Sequence, residues 1–217
     1  NSKQCRVPVS LDAPVFTLTH AMGFKGVLGG EYNFNRTEAS IWKRFWLPAS
    51  WGKIDCSVKA GAEWNTVPFP LLILPEANLS YITQRETFCL INNMEFLNDR
   101  FASMSISYDM NGKLFNRIPL LKNLKWREMF RVRALWGTLT DKNNPFKSSN
   151  PDLFRFPTRD GKFTSFVMDP KVPYVEASVG IYNIFKLLHV EYVHRFTYRD
   201  NPGINKNGIR FMVLMVF

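Results

Sequence analysis

Residues 53–64 read KIDCSVKAGAEW, and their period of two decides the fold class. Successive side chains of an extended strand point to opposite sides. Ile54, Cys56, Val58, Ala60, Ala62 and Trp64 therefore share one face, opposite Lys53, Asp55, Ser57, Lys59, Gly61 and Glu63. One face suits hydrocarbon and the other suits water.

Working outward, the pattern recurs. In REMFRVRALWGTL (127–139), Phe130, Val132, Ala134 and Trp136 oppose Arg127, Met129, Arg131 and Arg133. In RFASMSISYDM (100–110), Ala102, Met104, Ile106, Tyr108 and Met110 oppose Ser103, Ser105, Ser107 and Asp109. PYVEASVGIY (173–182) sets Val175, Ala177, Val179 and Ile181 against Tyr174, Glu176, Ser178 and Gly180. HVEYVHRFTYR (189–199) sets Val190, Tyr192, Phe196 and Tyr198 against Glu191, Arg195, Thr197 and Arg199. GIRFMVLMVF (208–217) puts Ile209, Phe211, Val213, Met215 and Phe217 on one face.

Strands are expected near 13–21, 33–46, 51–64, 100–111, 126–140, 173–184, 189–199 and 207–217. Several are longer than the roughly 5 or 6 residues of ordinary globular strands and match the roughly 9 to 11 of membrane strands. Trp42, Trp46, Trp51, Trp64, Trp126, Trp136, Tyr174, Tyr182 and Tyr198 fall at segment ends, as interfacial girdles would. The expectation is an all-β chain forming part of an antiparallel transmembrane outer-membrane β-barrel, with eight or nine strands. Residues 65–99 leave the count open. Either RETFCLINNMEFL (85–97) adds a strand with Phe88, Leu90, Met94 and Phe96 outward, or the stretch is a long loop folded into the lumen.

Connection lengths suggest an orientation. LPASWG (47–52) and IFKLL (184–188) are tight and suit the periplasmic side, whereas Asp141–Lys171 is long, polar and rich in Pro and Asn and suits the extracellular side. The 28 Lys and Arg outnumber 18 Asp and Glu, a net charge of +10 that invites nucleic acid as a partner. The charges are spread through the strands, so a basic lumen, or basic loops on anionic lipid headgroups, accounts for them as well, and no nucleic-acid partner is expected.

Candidate chemistry is sparse. Arg127, Arg131, Arg133, Arg195, Arg199 and Arg210 form the densest charged feature, a lumenal row. It either favours anions in an open pore or is paired with Glu63, Glu95, Glu128, Glu176 and Glu191 in a plugged one, and pairing is the favoured reading. His194 lies on the apolar face with serines on neighbouring strands, which raises a lipid-hydrolysing Ser-His pair as a minor alternative. Cys5, Cys56 and Cys89 lie far apart, with no zinc-site spacing. GFKGVLGG (23–30) lacks the phosphate-loop pattern and reads as a loop. No catalytic residue, metal or cofactor is expected.

KGVLGGEYNFNRTEASIWKRFWLP, AGAEWNTVPFPLLILPEAN, EFLNDRFASMSISYDMNGKLFNRIPLLKNLKWRE and PYVEASVGIYNIFKLLHVEYVHRFTYRD, with NGIRFMVLMVF, resemble the C-terminal half of a Bacteroidetes-type outer-membrane family of unknown function. FNRIPLLKNLKWRE is the most specific of these motifs. The resemblance implies that 1–217 is the C-terminal portion of one barrel domain, preceded by further strands and a carboxypeptidase-regulatory-like β-sandwich. The barrel is distantly similar to BamA-like assembly barrels, but their Val-Arg-Gly-Phe loop motif is missing here, so protein insertion is not carried over. The resemblance also makes Phe211, Val213, Met215 and Phe217 a C-terminal signal for the outer-membrane assembly machinery.

The resulting expectation is a non-enzymatic protein of the cell outer membrane, partnered by outer-membrane lipid and acting in transport, assembly or envelope interaction. A soluble β-rich binding protein with an aromatic-lined cavity is the alternative.

Overall fold

The computed structural model describes residues 13–78, 80–82, 86–147, 153–159 and 161–213. Alternation becomes one sheet. Strands β1 (Val15–Gly23), β2 (Phe34–Trp46), β3 (Lys53–Glu63), β4 (Arg100–Asp109) and β5 (Arg127–Thr138) run in chain order. A two-stranded hairpin, β6 (Thr158–Arg159) and β7 (Lys162–Phe163), interrupts the series before β8 (Tyr174–Ile184), β9 (Leu188–Arg195) and β10 (Asn207–Val213). The large sheet has eight strands in the order β1-β2-β3-β4-β5-β8-β9-β10, every neighbour antiparallel.

Among the described residues the sheet is not closed, since β1 and β10 each have one neighbour. The free edge of β10 is met at one point among the described residues, where the Phe211 amide donates to the Tyr81 carbonyl at 2.8 Å. Among the described residues no helix is long and apolar enough to cross a membrane.

Antiparallel order puts the connections at two ends. One end carries the turns 47–52 and 185–187 and the 110–126 connection; the other carries 24–33, 64–99, 139–173 and 196–206. In the first turn Gly52 has φ +89, and a Cβ there would lie 1.8 Å from the Asp109 carbonyl oxygen, so only glycine fits. The 110–126 connection contains a short helix α1 (Pro119–Leu124) with proline in its first turn and Lys125 at φ 55 closing it.

Residues 65–99 decide the open strand count. They hold a 3-10 turn at Phe69–Leu71 and isolated bridges, with no strand among the described residues. They fold across one face of the sheet, called inner below. Phe88, Leu90 and Phe96, expected outward if this were a strand, are buried against that face. Phe88, Ile91 and Phe96 pack with Leu135 of β5, Tyr174 of β8 and Met168, while Val67, Leu72 and Leu97 pack with Leu139 and Phe156. Prolines at 68, 70 and 75 keep the first part of the segment out of a ladder, because proline cannot donate to one.

The long connection is not a free loop either. Phe166 donates to the Glu95 carbonyl at 2.7 Å and accepts from Leu97 at 3.2 Å, and Asn143 Oδ1 accepts from the Val67 amide at 2.8 Å. Most of the buried apolar core among the described residues therefore comes from connections, not strands.

The other face of the sheet is bare among the described residues. Phe16, Leu18, Ile41, Val58, Phe130, Val132, Trp136, Val179, Tyr192, Ile209, Phe211 and Val213 are exposed on it. The expected girdle divides. Trp64 and Trp136 are exposed near the connection end and Trp46 and Trp51 at the turn end, whereas Tyr174 is fully buried on the inner face.

Candidate functional site

The polar faces of β5, β8, β9 and β10 meet residues 88–98, and there their charges gather. Glu176 of β8 is fully buried. Its Oε1 accepts from Arg133 Nη1 at 2.8 Å and from the Cys89 amide at 2.9 Å; its Oε2 accepts from the Leu90 amide at 3.1 Å and the Tyr174 hydroxyl at 2.9 Å. One carboxylate thus ties the crossing segment to β5 and β8. It supplies acceptors to backbone amides that no ladder satisfies.

The second anchor is Arg195 of β9, also fully buried. Its guanidinium reaches Glu95 at 2.6 and 3.1 Å, the Leu90 carbonyl at 3.2 Å and the Tyr198 carbonyl at 2.8 Å, while Nε donates to the Thr197 carbonyl at 3.0 Å. Its carbon lies 4.8 Å from the Tyr174 ring centroid. Planar five-donor geometry suits this crowd of acceptors in a way a lysine would not. From β10, Arg210 Nη2 donates to the Cys89 carbonyl at 2.5 Å. Arg131 completes the wall through Glu191 at 3.1 Å, with Ser178 Oγ and His189 beside the same carboxylate.

Two details qualify the strength of this clamp. Arg133 leaves Nε and Nη2 without a protein acceptor among the described residues, and a buried idle donor costs free energy. Cys89 Sγ lies 3.4 Å from Arg133 Nη1, yet burial outweighs that cation and pushes the thiol up to about 11. Cys89 is a packed neutral thiol, not a nucleophile.

The crossing segment also lies close to β5. A Cβ on Gly137 would fall 2.3 Å from Asn98 Oδ1, so glycine makes the approach possible. Next to it, Asp99 Oδ2 accepts from the Thr140 amide at 3.1 Å and Asn143 Nδ2 at 3.0 Å.

Four of the six arginines expected in one row are brought together on the inner face: Arg131, Arg133 and Arg195 buried, and Arg210 half-buried. Arg127 and Arg199 are not part of it. Arg127 is exposed at the turn end, its carbon 6.0 Å from the Tyr182 ring, and Arg199 is exposed beyond Arg195, where β9 stops. The written alternation continues past Arg195, where the strand does not.

Of the five glutamates named as partners, Glu95, Glu176 and Glu191 pair with the row. Glu63 instead faces Arg36 at 3.7 Å, and Glu128 accepts from the Phe115 amide at 2.5 Å. His194 Nδ1 lies 2.5 Å from Asn207 Oδ1, which also accepts from the Tyr192 hydroxyl at 2.9 Å, while Ser178 is turned inward to Glu191. Ser178 of the neighbouring strand β8 therefore does not stand beside His194. Phe211 and Val213 are exposed on the bare face, and Met215 and Phe217 lie outside the described residues.

Sequence reading missed Tyr174, Cys89 and Asn98 as parts of this site. Only the glycine at 137 hinted at a close approach. Among the described residues no group of His, Cys, Asp and Glu could hold a metal ion.

Fold and site define a class: an all-β antiparallel sheet, apolar on its bare face, with a charged inner wall that grips a segment of its own chain. The chain belongs to a family of unknown function (DUF5686), whose C-terminal domain matches residues 1–146. That span includes Glu95, Arg131 and Arg133, and ends before Glu176, Glu191 and Arg195. No curated protein matches the chain.

Proposed function

We propose that this chain is part of a non-enzymatic outer-membrane β-barrel whose lumen is plugged by residues 65–99, acting in transport, assembly or envelope interaction. The observation that carries the reading is the bare face, where large apolar side chains from β1 to β10 stand exposed while the buried charges lie on the opposite face. Water would penalise so broad an apolar surface, and a bilayer would cover it. Six strands of the large sheet, β1–β5 and β8, have 9 to 13 residues, which suits a bilayer crossing. The turn end is then periplasmic and the 139–173 connection extracellular.

The free edges of β1 and β10 belong to the same reading. Unpaired strand edges are costly in hydrocarbon, so further strands of a longer barrel, similar in kind to the BamA-like ones, would meet them. Full-length protein from the native membrane should require detergent for extraction and migrate differently with and without heating. Protein released by salt alone, with heat-independent migration, would support a soluble binding protein instead. Protease added to intact cells should also cut within 141–171; cleavage only after the outer membrane is opened would reverse the orientation.

A further inference from the structure

The two ends of the sheet differ in charge. At the turn end Arg117, Lys122, Lys125 and Lys186 are exposed, and none engages an acid through its side chain among the described residues. The acids of that end are already engaged. Asp55 binds Arg44 at 2.6 Å, Asp109 accepts from Tyr182 and from the Asn111 amide, and Glu128 is buried against the Phe115 amide. At the connection end, by contrast, exposed Glu31, Glu86, Asp141 and Asp200 mix with exposed Lys25, Lys147, Arg199 and Lys206.

Apolar side chains stand among the free cations. Leu114, Ile118, Leu120 and Leu124 are exposed around α1, with Leu120 at 76%, and Phe185 at 86% projects from the neighbouring turn. Leu120 and Leu124, four apart, share one side of the helix. Lys113 Nζ lies 4.9 Å from the Trp51 ring centroid, linking this connection to the adjacent turn. Exposed leucines interleaved with unpaired cations form an interfacial surface, apolar enough to enter the headgroup boundary and basic enough to prefer anions there.

We infer that the turn end, centred on α1 with Arg117, Lys122, Lys125 and Lys186, docks on the anionic phospholipid headgroups of the adjoining leaflet. This rests on the membrane reading above. The occupant is a lipid surface because the cations are spread round exposed leucines and a phenylalanine instead of lining a pocket.

The test uses full-length protein reconstituted in phosphatidylcholine bilayers containing a minor share of spin-labelled phosphatidylglycerol or spin-labelled phosphatidylcholine, with heat-modifiable migration confirming insertion. The expected result is a preference for phosphatidylglycerol that falls at least about tenfold in the combined variant Arg117→Gln, Lys122→Gln, Lys125→Gln and Lys186→Gln. A control with the same number of charges removed at the connection end, Lys25→Gln, Lys162→Gln, Lys171→Gln and Lys206→Gln, should keep it. Three results overturn the inference: no preference in the parent protein, which would favour an acidic protein as occupant; a preference that survives the four turn-end changes; or an equal loss in the control. Failure to insert would sink the membrane reading itself, and the inference with it.

Discussion

The inner faces of β1–β3 and of β5, β8 and β9 are written in the same alternating code and have different fates. On β2 and β3, Lys59 lies between Glu38 at 3.5 Å and Glu76 at 2.5 Å, all three partly exposed beside a polar trough of about 380 Å³ lined by Thr17, Thr19, Ser40 and Ser57. On β5, β8 and β9, Arg133, Glu176, Glu191 and Arg195 are buried beneath residues 88–98. The residue types and the parity are alike. What differs is the segment that lies on top, which removes water and turns ordinary surface ion pairs into anchors.

The largest effect should come from cutting the buried anchor. Glu176→Ala strands Arg133 and frees the Cys89 and Leu90 amides together, so unfolding in detergent should show a loss of about 3–5 kcal/mol. A loss below about 1 kcal/mol would make the two halves equivalent. Next, the bare face can be set against the inner one. Val132→Arg should cost about 2–4 kcal/mol in a bilayer, and Met129→Arg, three positions away on the inner side, much less. Equal costs would remove the difference between the faces on which the membrane reading stands.

The thiol at position 89 reports on the cover directly. Its raised value means that the folded protein keeps it neutral, while the unfolded chain ionises near its usual 9.0. The stability this gives is whole below pH 9 and is lost as pH rises toward about 11. Alkylation of Cys89 in the folded protein should stay slow at pH 8 and accelerate in Glu176→Ala; fast labelling of the parent at pH 8 would mean the cover is open. Smallest of all, Lys59→Met in the uncovered half should change stability by no more than about 1 kcal/mol, since its ion pairs are wet. A loss like that of Glu176→Ala would show that the trough is as tightly built as the clamp.

Much of the fold was legible in the chain. Alternation placed all eight strands of the large sheet to within a few residues, because side-chain direction in an extended chain follows parity alone. The same parity put Arg131, Arg133, Glu176 and Glu191 on one face. It failed where strands end. Arg199 continues the written pattern of β9, but the backbone leaves the sheet after Arg195, and periodicity carries no marker for that departure. It was silent on 65–99, whose backbone is satisfied by side chains of distant strands: Glu176 is 87 residues from Cys89, and Arg195 is 105 from Leu90.

The sequence by itself therefore determined the strands, their two faces and the distribution of charge between those faces, all consequences of a local two-residue geometry. Only the tertiary structure decided which acid meets which arginine, that Tyr174 and Cys89 join them, and that residues 65–99 cover one half of the inner face and leave the other wet. Those outcomes depend on burial and on contacts between residues far apart in the chain, and burial sets whether a charge pair is worth almost nothing or holds a segment in place.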